Sequence, residues 1–138
     1  MVESSGKISI NGVIHFEELE PRLRLAFSNQ SSNKLVFFDD FLDPRRTSNY
    51  FAAVSNSHFR QVLQLALPLG TFNDADVAIA PGGEYVHDFA LGRYFCDLGE
   101  YLRMDDVTIF WSVRLEPMNC SENVVVNGYA IVPRTRGR

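Results

Sequence analysis

A chain of 138 residues, 46% hydrophobic and 22% charged, has room for one well-buried core and does not have the composition of a disordered segment. Its formal net charge of −4, from 17 acidic and 13 basic residues, leaves no broad cationic face for a nucleic-acid backbone. The first ten residues lack the apolar stretch of a secretion signal, and no apolar run reaches the roughly 18 residues of a membrane span. The cytoplasm is therefore the favoured compartment, unless a leader has been removed.

The elements follow in chain order. Residues 7–16 alternate Ile8, Ile10, Val13 and Ile14 around Asn11-Gly12, which marks either a tight hairpin or a bulge within one long first strand. Leu23, Leu25 and Phe27 alternate with Arg22, Arg24, Ala26 and Ser28, the pattern of a half-buried antiparallel strand. A polar turn over residues 29–33 then predicts a hairpin to a second, aromatic strand over 34–41. Residues 43–57, broken by Pro44, read as a long irregular connection with a short helical turn near 50–54.

Strands are predicted over 60–67, 76–80, 84–91, 107–115 and 122–132, with Pro81-Gly82-Gly83 turning the chain. In 107–115, Val107, Ile109, Trp111 and Val113 share one face, and Thr108, Phe110, Ser112 and Arg114 share the other. Residues 92–106 read as a compact corner with one helical turn, because Gly92 and Gly99 each weaken a helix by about 1 kcal/mol. The whole is an all-β, immunoglobulin-like antiparallel β-sandwich of seven to nine strands, one domain over residues 1–133 with a basic tail over 134–138.

Ala80-Pro81-Gly82-Gly83, followed by Asp88, Leu91, Tyr94, Leu98, Gly99 and Tyr101, resembles small immunoglobulin-like bacterial domains. The similarity is to the intracellular proteinase inhibitor family of bacilli and to propeptide domains of deuterolysin-type metalloproteases. It covers about 25 residues, a Pro-Gly turn leading through a Leu-Tyr corner to a Gly-x-Tyr strand start. Residues 103–106 interrupt the pattern where that strand would run on. The resemblance implies a sandwich fold and carries no inhibitory residue onto this chain.

The chemistry-bearing residues point away from catalysis. His15, His58 and His87 are spread over three elements, and His87 and Asp88 are neighbours in a strand with opposite faces, so neither a metal site nor a general base is read. Asp39-Asp40, Asp74 with Asp76, and Asp105-Asp106 suit turns, and no complete calcium loop is present. No nucleophile elbow, phosphate-cradling glycine loop or zinc-spaced cysteine set occurs. Cys96 and Cys120 read as buried free thiols, or as one disulfide in an oxidising compartment. Asn29-Gln30-Ser31 and Asn119-Cys120-Ser121 match the glycan acceptor pattern and mark loops.

What remains is a non-enzymatic protein-binding module without cofactor or metal, of the small-inhibitor or immunity-protein kind. Loops carry function on rigid scaffolds, and Tyr and Arg are favoured anchors, so the partner-binding residues are predicted as Arg45, Arg46, Asn49, Tyr50 and Phe51. The alternatives are a subunit that self-associates through Phe37, Phe38 and Phe41, or a carbohydrate- or calcium-binding accessory domain. Trp111 is assigned to the core.

Overall fold

The structure, a computed structural model, describes residues 8–18, 20–38, 41–44, 49–56, 63, 65, 76–119 and 123–135. In chain order these form β1 (Ile8–Glu17), β2 (Glu20–Asn29), β3 (Leu35–Phe37), β4 (Tyr50–Ser55), β5 (Val77–Ile79) and β6 (Glu84–Ala90). The helical turns α1 (Leu91–Tyr94) and α2 (Leu98–Leu102) follow, then β7 (Val107–Leu115) and β8 (Val124–Val132). Every described strand pair is antiparallel. The sheets have the orders β1-β2-β6, β3-β5 and β4-β7-β8. No described helix is long and apolar enough to cross a membrane.

Period-two alternation fills one core. Leu23, Leu25 and Phe27 of β2 are fully buried, as are Val107, Ile109 and Val113 of β7. They join Phe51, Phe89, Leu91, Phe95 and Val126 in a single apolar cluster. The Phe51 and Phe89 rings, 5.2 Å apart, connect β4 of one sheet to β6 of another. Trp111 lies in this core and is clasped by two glycines. A Cβ on Gly12 of β1 would overlap the indole, and one on Gly128, directly opposite on β8, would lie 2.5 Å from Cζ2. The edge strands of the two larger sheets thus meet across one tryptophan.

Several expectations change. Asn11-Gly12 lies inside the continuous β1, and the hairpin turn comes later, where Glu17 pairs with Glu20 and Glu18 takes a positive φ of 50°. Gly12 is there because Trp111 needs the space. The predicted hairpin from 22–28 to 34–41 does not form. β2 lies between β1 and β6, and the shorter β3 pairs with β5. The cause is Asn29, buried at the end of β2. Its Nδ2 donates to the carbonyls of Asn33 and Ile79, and its Oδ1 accepts from the backbone N–H and hydroxyl of Ser31. Those bonds steer the chain off the β2 ladder towards β5.

The irregular connection with a helical turn contains a strand instead, β4, with Phe51, Ala53 and Ser55 buried in alternation. The corner at 92–106 holds two helical turns rather than one. The Pro81-Gly82 turn is as predicted: Gly82 has φ 75°, and the Gly83 N–H closes onto the Ala80 carbonyl at 2.8 Å. The strand predicted over 60–67 falls outside the described residues except Leu63 and Leu65. The Leu63 N–H donates to the Ala53 carbonyl along the β4 edge.

Candidate functional site

Register decides what β4-β7-β8 shows to solvent. Because Trp111, Ile109 and Val113 face inward, Phe110, Ser112 and Arg114 must face outward. Phe110 pairs with Ala52 on one side and with Tyr129 on the other, and Tyr50 pairs with Ser112. The outer face therefore carries Tyr50 (61% exposed), Phe110 (41%), Tyr129 (65%), Ile131 (49%) and Val125 (46%). The Phe110 and Tyr129 rings sit 6.3 Å apart, tilted by 41°. No carboxylate stands on an outward position of these three strands, and Arg114 is their one outward charge. Water meets a largely aromatic and aliphatic surface here, with Ser112 and the exposed Asn127 among the apolar side chains, of the kind that marks interaction sites.

Of the five residues predicted to bind a partner, Asn49, Tyr50 and Phe51 are described, and among these Tyr50 alone is exposed on this face. Asn49 is buried, its Nδ2 donating to the carbonyls of Phe41 and Asp43 at 2.9 and 3.0 Å, so it staples the chain ahead of β4. Phe51 points into the core, because neighbours in a strand face opposite ways. Arg45 and Arg46 lie outside the described residues. The self-association strand is corrected too: Phe37 and Phe41 are buried and stacked 4.8 Å apart, leaving only Phe38 exposed. Alternation puts Phe110 on the face it shares with Thr108, Ser112 and Arg114, and no local pattern in the sequence singles out Tyr129. The signal that unites them is their register across β7 and β8.

The outer face of the other large sheet mixes the exposed Val13 and Val86 with a charged cluster. Asp88 Oδ1 accepts from His15 Nε2 at 3.0 Å and from Arg24 Nε at 3.4 Å, and Arg24 Nη2 reaches Oδ2 at 3.5 Å. His15 thus reaches from β1 across β2 to β6. Burial alone would raise the Asp88 carboxyl, but the hydrogen bonds and charges of His15 and Arg24 prevail and hold it below the usual carboxylate value. His87, on the opposite face of β6, is half-buried with its ring 4.6 Å from Phe89. Burial lowers its pKa and Arg22 adds to that, against the opposing pull of Asp88.

The glycan acceptor patterns fall on engaged amides. Asn29 is buried, and Asn119 donates its Nδ2 to the Lys34 carbonyl while its Oδ1 accepts from the Val36 N–H. Among the described cysteines, Cys96 is a free thiol, exposed rather than buried. Compared with protein-family models and with curated proteins, the chain matches none.

Proposed function

We propose that this protein is a non-enzymatic protein-binding module, an immunoglobulin-like sandwich that docks through the outer face of β4-β7-β8. The carrying observation is the row Tyr50, Phe110 and Tyr129, large rings held exposed by sheet register where folding alone would favour polar residues. Tyr and Phe are enriched and carboxylates depleted at the centres of protein interfaces, and this face has both features. The sandwich reading is supported by strand order. β1-β2-β6 and β4-β7-β8 follow the chain order of strands A-B-E and C-F-G in constant-type immunoglobulin domains.

The test is site-specific photocrosslinking. A photoreactive phenylalanine analogue replaces Tyr129 in one variant and Val13, exposed on the opposite sheet, in another. The expected result is a covalent protein adduct from position 129 in the source cell and none from position 13. Equal labelling from both positions, or none from 129, overturns the reading.

A further inference from the structure

The identity of the docked protein follows from the same face, and this step rests on the docking reading above. We infer that the occupant is a second copy of this chain, packed sheet to sheet about a two-fold axis that passes near Phe110.

Three observations converge. The first is charge depletion. With Arg114 as its one outward charge, the face resembles the apolar interfaces of homodimers more than the mixed surfaces of transient pairs. Across the outward positions of these strands two chains of net charge −4 can also approach with no carboxylate on either side, Asp106 standing at the rim just before β7. The second is area. At exposures of 41–65%, Tyr50, Phe110, Val125, Tyr129 and Ile131 present on the order of 500 Å². The exposed Arg114 and Asn127 and the half-buried Ala52, Val54 and Ser112 add to this, towards the roughly 800 Å² that each partner gives to a standard interface.

The third is symmetry. Arg114 lies four residues after Phe110 along β7, and the exposed Asp106, one residue before β7 begins, lies four residues before it, its Oδ1 accepting the Arg134 N–H at 2.6 Å. A two-fold axis through Phe110, perpendicular to the strands, sets Arg114 of each copy over Asp106 of the other. Stacking the strands in the same direction would instead set Arg114 on Arg114, and like charges in an interface are costly. The arrangement is isologous and closes on itself, which favours a dimer over an open filament.

Sedimentation from low micromolar to millimolar concentration tests this. Wild type is expected to move from the 15.6 kDa chain towards twice that mass, and the double variant Phe110→Asp/Tyr129→Asp to stay at one chain. Arg114→Asp should weaken association by about fivefold or more. Arg114→Asp combined with Asp106→Arg should restore it, a rescue that a merely misfolded variant would not give. Wild type remaining a single chain at every concentration overturns the inference, as does association untouched by Phe110→Asp. Failure of the charge swap to rescue overturns the two-fold arrangement. The photocrosslink separates the two levels. An adduct at position 129 with a different protein, while wild type stays monomeric, removes the second copy and leaves docking standing. No adduct at 129 removes both.

Discussion

Two glycines and one indole set the tightest constraint at the scale of single residues. Trp111 is large enough to join the two edge strands only because Gly12 and Gly128 carry no side chain. Either glycine replaced by Ala forces the ring or the strands apart, at a cost of about 1–3 kcal/mol in urea denaturation. If the indole is the cause, Trp111→Phe should absorb most of the Gly128→Ala penalty in a double-mutant cycle. Independent, additive penalties would show that the clash is relieved elsewhere. Glu18 offers the opposite case. Its positive φ strains a residue with a Cβ, so Glu18→Gly should raise stability by about 0.5–1 kcal/mol. An unchanged denaturation midpoint would mean that the hairpin accommodates Glu18 without strain.

Single side chains decide connectivity at the scale of elements. The Asn29 side chain bonds three residues in two segments at the end of β2, and Asn29→Ala should cost about 3 kcal/mol because it strands buried carbonyl and N–H partners. Asn119→Ala removes two bonds from the exposed rim of β3 and should cost about 1 kcal/mol. Comparable losses from both would contradict the assignment of Asn29 as the pivot. The contrast explains what was legible in the sequence. β2, β6 and β7 were readable because branched and aromatic residues alternate there without interruption. β4 was not, since Ala52-Ala53 carries little hydrophobic contrast between its faces. The pairing of β3 was hidden because an amide bonding to segments 4 and 50 residues away leaves no local pattern. The exposed aromatic face was half legible. The outward direction of Phe110 follows from alternation, but its alignment with Tyr129 and Tyr50 exists only once three strands are in register.

Adjacent residues of β6 give the whole molecule a two-step response to acid. An unfolded histidine titrates near about 6.5, and His87 titrates lower in the folded state. Between those values the unfolded chain binds more protons. Stability is therefore complete above about pH 6.5 and declines as pH falls below it, until the folded His87 is itself protonated. Asp88 is also lowered, but it is a carboxylate, so its contribution is present above about pH 3.9 and is lost as pH falls through its folded value. Wild type should thus lose urea resistance first as pH falls below about 6.5, and again in the strongly acid range. His87→Leu, which keeps an apolar contact for Phe89, should flatten the first step and leave the second. Asp88→Asn should flatten the second step, because it removes the carboxylate that joins β1 to β6 through His15, and should deepen the first, because it also removes the charge that holds the His87 pKa up. If His87→Leu left the first step unchanged, burial of that ring would not be its source.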